Sequence, residues 1–312
     1  MTEVLVFGAD SLVGSHFVRS TRSEVTAAGR NDPRTIGLSV ARFVPCDLLK
    51  PKQVEEVVRN STAPAVVNFA AATNVDAVER GRPPAPPGPR TEDAFVVNAL
   101  APEAMARATR SGGKRLVSLS TDFVFDGRGG PYSESAIPDE FSERLSWYGW
   151  TKGEGERRLR AVDAQATVVR ITYPYGHPHP RKRGFSDRLL DAYRNRTLPP
   201  MFIDQQITPT WIPDVSRAID YLLPRPFPGV VHVASPEVTT PYAFAEVLLL
   251  RAESPPLRLT RGSMHDYLAV KGTTPRPIRG GLLSTRLPSV GISMTSWREG
   301  IRQLELPSEV LP

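Results

Sequence analysis

The stretch Val4–Val18, "VLVFGADSLVGSHFV", decides how the rest of the chain is read. A β-branched and aromatic run stops at Gly8, and an apolar pattern at helical spacing starts at Leu12. A strand, a tight turn and a helix start therefore follow one another, with Gly8 and Gly14 six residues apart. Glycines so placed permit the turn and let the helix pack closely on the strand, while the first N–H groups of the helix face an anion. One glycine pattern is a weak signal. Its context, opening a βαβ unit, favours a dinucleotide pyrophosphate over a purely structural turn and assigns Gly8, Asp10, Ser11, Leu12, Val13 and Gly14 to a cofactor cleft.

The same alternation continues outward. "EVTAAGR", "ARFVPCD", "AVVNFAA", "KRLVSLSTD" and "ATVVRIT" are further expected strands, and residues 12–22, 51–60, 91–111 and 147–162 have helical length and spacing. Strands alternating with helices predict an α/β fold, a Rossmann-type doubly wound parallel sheet covered on both faces. Past residue 172 the pattern loosens. We expect a dinucleotide-binding domain over 1–172 and a smaller, mainly substrate-binding C-terminal lobe over 173–312, with 229–235, "GVVHVAS", able to return to the main sheet. Residues 80–92 belong to a Pro-rich surface loop that suits a lid and a neutral insertion equally well.

Composition narrows the classes. The chain has 312 residues, 40% of them hydrophobic, enough for a substantial core. No apolar run approaches the ~18 residues a bilayer span requires, and Met1 leads directly into "EVLVFGA" without a basic leader, so a cytoplasmic protein with no membrane partner is expected. Cys46 is the sole cysteine, which excludes an internal disulfide and a thiolate-cluster metal site. The net charge of +6 comes from basic residues mostly scattered among acids and not from basic blocks, so an anionic small substrate explains it as well as nucleic acid would; no nucleic-acid partner is expected. Six of the 39 basic residues are lysines, so a lysine at a motif position carries weight.

The second strand ends in "AAGRNDP", where an acidic residue would bind the ribose hydroxyls of NAD. Arg30, with Arg34 nearby, instead suits a 2′-phosphate, so NADP(H) is favoured over NAD(H). Asp47 and Leu48 of "PCDLLKP" are placed to contact the adenine edge and face, and Asp47 is equally suited to cap the following helix.

The reacting end lies in "SWYGWTKGEGERRLR", Ser146–Arg160. Tyr148 and Lys152, spaced i, i+4, project from one helix face. An ammonium there stabilises the phenolate and makes the tyrosine a usable proton donor near neutrality. Upstream, "LVSLSTDFVFDG" puts the hydroxyls of Ser120 and Thr121 at a strand's carboxyl end, where α/β sheets bind ligands. His177 and His179 of "HPHP" lack matched carboxylates, so no metal site is expected. The adjacent Arg181, Lys182 and Arg183 suit either a substrate diphosphate or plain solvent.

"STDFVFDG", "YGWTK", "NFAAATNVDAVE" with "VVNALAPEAMARA", "DQQITPTWIPDVSRAI", "RPIRGGLLSTRL" and "SMTSWREGIRQL" together resemble the dTDP-4-dehydrorhamnose reductase family, within the extended short-chain dehydrogenase/reductases. The resemblance covers nearly the whole chain. It implies reduction of the C4 ketone of a nucleoside-diphosphate 4-keto-6-deoxy sugar by hydride from a nicotinamide. Thr121 would polarise the carbonyl, Tyr148 protonate its oxygen, and Lys152 tune Tyr148 and bind the nicotinamide ribose. Ala70, Ala71, Ala72, Asn98 and Ser120 would border the cofactor; Asp122, Phe123, Val124 and Tyr175 would line the substrate pocket. Four departures stand out: Ser11 replaces the usual middle glycine of the turn, the Pro-rich 80–92 segment is longer than the family's usual connection, Phe123 replaces a frequent tyrosine, and "YPYG" the common "WVYG". The same likeness extends to the non-catalytic regulatory subunit of methionine adenosyltransferase, while an epimerase or dehydratase would usually carry an acidic pair where this chain has only Asp122. A homodimer is left open.

Overall fold

A computed structural model describes residues 2–83, 93–253 and 255–306. Most of the Pro-rich stretch, 84–92, lies outside the described residues. The first half comprises β1 (Glu3–Phe7), α1 (Leu12–Ser20), β2 (Glu24–Gly29), β3 (Arg42–Pro45), α2 (Pro51–Asn60), β4 (Ala65–Asn68), α3 (Val75–Arg80), α4 (Asp93–Phe95), α5 (Ala101–Ser111), β5 (Arg115–Thr121), α6 (Trp147–Val162) and β6 (Thr167–Ile171). There follow α7 (Phe185–Arg194), β7 (Met201–Phe202), α8 (Ile212–Leu222), β8 (Gly229–Val233), α9 (Pro241–Ala252), β9 (Arg261–Gly262), α10 (Met264–Ala269) and α11 (Trp297–Gln303).

Seven strands form one sheet in the order β3-β2-β1-β4-β5-β6-β8, every pair parallel. Each strand expected from the sequence is present, and the reason is visible in its side chains. Along β1, Val4 and Val6 enter a core with Phe17, Val215 and Ile219, while Leu5 and Phe7 enter the opposite core with Val54, Met105 and Leu116. A strand buried on both faces must be apolar throughout, which is why these runs lack polar alternation. Strand order reverses between β1 and β4, so the crevice beyond their carboxyl ends is the position where such sheets take ligands.

Two segments beyond residue 172 build this half as well. Strand β8 pairs with β6 in register Val169–Val231, and α8 packs its Ile212, Val215 and Ile219 into the core shared with α1. A separate apolar cluster joins Tyr175, Phe185, Leu189, Trp211, Phe244, Leu248, Trp297 and Ile301 in the C-terminal lobe.

The helix expected over 91–111 is not uniform. Between α4 and α5 the backbone widens into a π-helical turn, Val96–Leu100, and the Ala101 N–H reaches back five residues to the Val96 carbonyl. Pro102 sits just inside α5 and has no N–H to offer the turn before it, so an inserted residue relieves the mismatch. Asn98 lies on this widened turn.

Candidate functional site

The first βα turn has the form a pyrophosphate requires. Gly8 adopts φ +72°, and a Cβ there would stand 2.7 Å from the Ala70 nitrogen; one on Gly14 would stand 2.2 Å from the Gly8 carbonyl oxygen. Strand β4 and helix α1 therefore close on the turn only because both positions lack side chains. Ser11 neither crowds the cleft nor leaves the helix end bare: its Oγ accepts from the Gly14 N–H at 2.9 Å as the N-cap, and its own proton remains available. Asp10 accepts from Asn31 Nδ2 at 3.1 Å, tying the turn to the end of β2. Leu12 is half-buried, whereas Val13 is buried in the sheet core and offers the cleft only backbone.

Around this turn the other expected positions separate. Ala70, Ala71 and Ala72 form a half-exposed strip of small side chains beyond β4. Arg30 is exposed with no ion pair among the described residues, while Arg34 is held by Asp32 at 2.6 Å. Asp47 Oδ1 accepts from the Leu49 N–H at 3.1 Å, shaping the loop before α2, whose N-cap is Lys50. Leu48 is buried against Val54 and Cys46, so only a sliver of it could meet an adenine. Asn98 spends its amide on structure: Oδ1 accepts from the Ala72 N–H at 2.9 Å, and Nδ2 donates to Ala72 O and Thr151 Oγ1. Its part is to brace the alanine strip against α6. Ser120 Oγ is buried without a hydrogen-bond partner among the described residues, as a hydroxyl awaiting a ligand would be. The glycine cradle, the small-residue strip and this orphan hydroxyl fit a dinucleotide.

At the carboxyl end of β5 the reacting residues converge. Thr121 Oγ1 accepts from the Phe123 N–H at 3.2 Å and donates to Asp122 Oδ1 at 3.3 Å. Tyr148 and Lys152 lie on α6 as the i, i+4 spacing predicts, both nearly buried, and the Phe123 ring meets Tyr148 edge-on at 5.7 Å. Lys152 Nζ donates to the Leu119 carbonyl at 2.8 Å. Burial lowers its pKa to about 8, against which the Glu156 carboxylate pulls upward. Burial raises the Tyr148 phenol well above its ordinary value; the nearby Thr121 hydroxyl opposes this and the Asp122 charge adds to it. Asp122, completely enclosed, is raised to about 6 by burial, with hydrogen bonds from Gly281 N–H and Thr121 opposing. The arrangement brings a phenol, a hydroxyl and an ammonium to the carboxyl-terminal part of β5, all three nearly buried.

Two expected pocket residues are corrected. Tyr175 is wholly buried in the C-terminal cluster, its hydroxyl donating to the Trp297 carbonyl at 3.1 Å, so it packs the lobe instead of facing a substrate. Val124 is likewise fully buried, against Phe125, Ala234 and Leu282. Tyr173, two residues earlier, packs against the edge of the same cluster. It holds a left-handed backbone, φ +41°, its hydroxyl accepts from Gln205 Nε2 at 3.1 Å, and burial followed by the Asp122 charge raises it to about 12. Arg276 and Arg188 act on it from the C-terminal side. Gln205, almost inaccessible, also donates to the Pro277 carbonyl. Its signal was present in "DQQITPT", and that of Tyr173 in the departure from "WVYG".

The "HPHP" histidines are both committed to hydrogen bonds. His177 Nε2 meets Ser15 Oγ at 3.1 Å; His179 donates from Nε2 to the Asp10 carbonyl and accepts at Nδ1 from the Arg181 and Lys182 N–H groups. The basic loop is thereby moored to the nucleotide turn.

Comparison with known proteins agrees with this geometry. The family model described as the RmlD substrate binding domain matches residues 1–306. The chain is 27% identical to the spore coat polysaccharide biosynthesis protein SpsK of Bacillus subtilis over 97% of its own length and 96% of that protein's. It is 28% identical to methionine adenosyltransferase 2 subunit beta of Danio rerio, covering 94% of this chain and 86% of the relative. Its fold superposes on the crystal structure of dTDP-4-dehydrorhamnose reductase from Bacillus anthracis in complex with NADP, with a TM-score of 0.78 at 23% identity, covering 97% of this chain and 99% of that one. A match running through the sheet and the C-terminal lobe alike, together with the site just described, places the chain in the RmlD substrate binding domain family.

Proposed function

We propose that the protein is a cytoplasmic NADPH-dependent reductase of the C4 ketone of a nucleoside-diphosphate 4-keto-6-deoxy sugar, of the dTDP-4-dehydrorhamnose reductase type. The observation that carries this is the placing of Tyr148 and Lys152 on one helix against the end of β5 and Thr121, two strands from the Gly8 turn. A bound nicotinamide supplies the hydride; Arg30 is positioned to meet a 2′-phosphate, and the Gly8–Gly14 turn the pyrophosphate.

The chain's own residues carry the rest. Thr121 orients the ketone through its hydroxyl, turning from Asp122 to the substrate oxygen. Tyr148 gives its phenolic proton to that oxygen as negative charge develops. Lys152, held at Leu119 O, would stabilise the phenolate left behind, against the rise that burial imposes on the phenol. Tyr173, Gln205, Arg188 and Arg276 lie toward the same end from the C-terminal side; Arg188 suits an anionic diphosphate, while Arg276 is paired with Asp76 at 2.9 Å. Residues 1–172 would serve chiefly the cofactor and 173–312 chiefly the sugar nucleotide.

The test is NADPH oxidation with dTDP-4-keto-6-deoxyglucose by the wild type and Tyr148→Phe. Turnover that drops about 10²–10⁴-fold in the variant is expected; equal turnover in both would remove Tyr148 as donor. The likeness to the methionine adenosyltransferase beta subunit supports a second, regulatory reading, which predicts tight cofactor binding and no turnover on any keto-sugar nucleotide.

A further inference from the structure

We propose that Glu156 and Arg170 are positioning residues of the reacting end: the pair fixes a carboxylate one helical turn beyond Lys152, so that the lysine ammonium persists although its side chain is buried. The kinetic arm of this proposal rests on the reductase reading above.

Glu156 follows Lys152 by four residues on α6, and both side chains border one small cavity with Asn98, Ser118 and Ser120. All three charged partners are inaccessible: Lys152 and Glu156 are each 5% exposed and Arg170 is fully buried. Arg170 grips Glu156 with a fork, Nε to Oε1 at 2.9 Å and Nη2 to Oε2 at 2.6 Å. The guanidinium is itself immobilised. Its Nη1 lies 3.3 Å from the Ala136 carbonyl and 3.4 Å from His232 Nε2, and its face rests on the Phe125 ring at 4.9 Å. The carboxylate therefore has one position, set by β6 and not by the flexibility of its own side chain.

A buried ion pair is a poor source of net stability, because desolvating two charges largely cancels their attraction. The pair has another consequence here. The charged and titratable groups around Lys152 are Tyr148 and Glu156 from its own helix, Asp122 from the turn after β5, and Arg170 and His232 from the next two strands. His232 is held neutral, lowered to about 3 by burial and by Arg170. Asp122 acts on Tyr148, where it opposes ionisation. Glu156 is the carboxylate that favours the charged lysine, and the Leu119 carbonyl is the other group that does so. Were the ammonium lost, the Tyr148 phenolate formed on proton donation would lose the stabilisation that the Lys152 charge offers it.

The experiment follows Lys152 directly in protein labelled with ¹⁵N at the lysine Nζ atoms. In the wild type the resonance titrates near pH 8; in Glu156→Gln it moves down by about one unit, a tenfold change in ionisation, and in Glu156→Asp it returns toward the wild-type value. Glu156→Gln leaves Arg170 an uncompensated buried charge, so the double variant Glu156→Gln/Arg170→Met is measured beside it. A purely structural pair predicts restoration in the double variant; the positioning role predicts that the lowered value stays. The alkaline limb of kcat shifts in parallel, with cofactor Kd unchanged within about twofold. A folded variant without Glu156 in which Lys152 titrates as in the wild type overturns the proposal. Absence of turnover in the wild type counts against the reductase reading alone, since the resonance still decides this one.

Discussion

Gly149 lies so close to Phe123 that a Cβ on it would stand 1.9 Å from the Phe123 carbonyl oxygen. This contact sets the separation between α6, which carries Tyr148 and Lys152, and the turn that carries Thr121 and Asp122. The two halves of the reacting end come from elements about 25 residues apart in sequence, and the missing side chain at Gly149 is what lets them meet. Gly149→Ala is therefore expected to push α6 outward by a fraction of an ångström or more. Misplacement on the order of 1 Å can cost roughly 10²-fold in rate. Steady-state kinetics should show kcat falling by about that factor while cofactor Kd changes little; a variant with wild-type kcat would show that the contact does not set the geometry.

Asp122 gives a pH dependence of stability whose sign is fixed. Burial raises its folded pKa from 3.8 to about 6, so the folded state holds this proton more tightly than the unfolded chain. The associated stability is complete below about pH 4 and is lost as pH rises to 6. Its size is roughly 3 kcal/mol. Asp122→Asn cannot titrate there, so denaturant unfolding should show the wild type losing stability relative to the variant between about pH 4 and pH 6.5. A stability difference that stays flat across that window would place the Asp122 titration elsewhere.

The sheet was legible because burial on both faces forces runs such as "VLVF" and "AVVNF" to be apolar without alternation, and no other common element writes that pattern at that length. The π-helical turn at Val96–Leu100 was not, since one inserted residue barely disturbs a helical period over 20 residues. Tyr148, Lys152 and Thr121 were legible because spacing on a helix and position at a strand end translate directly into direction. Tyr175 was misassigned for the complementary reason. Tyr175 was named on the family resemblance alone, and Tyr173 takes φ +41°, which residue type does not announce in a non-glycine. The chain turns there, leaving Tyr175 inside the lobe cluster and Tyr173 packed against its edge with its hydroxyl at Gln205. Arg170 was passed over as one residue of the expected strand "ATVVRIT", and its partner 14 residues away is found only in three dimensions.

Ser11 tests whether its departure from glycine is a helix cap. Its Oγ satisfies the Gly14 N–H, so Ser11→Ala should cost about 1 kcal/mol and Ser11→Gly only a few tenths. Thermal or denaturant unfolding separates the two. Equal losses would mean that the hydrogen bond is not what Ser11 contributes.

Arg30 and Arg34 stand at the end of β2, and the structure distinguishes them. Arg34 is already tied to Asp32 through Nε and Nη2, and that pair keeps the aspartate below its ordinary range. Arg30 is exposed with no ion pair among the described residues. A 2′-phosphate would therefore fall to Arg30, and a charge-assisted hydrogen bond of about 1.5–3 kcal/mol corresponds to roughly 10–100-fold in affinity. Arg30→Ala should weaken NADPH binding by that factor and leave NADH within about twofold, whereas Arg34→Ala should alter neither preference. Titration calorimetry with both cofactors reads this directly, and an unchanged NADPH-to-NADH ratio in Arg30→Ala would take Arg30 out of cofactor selection.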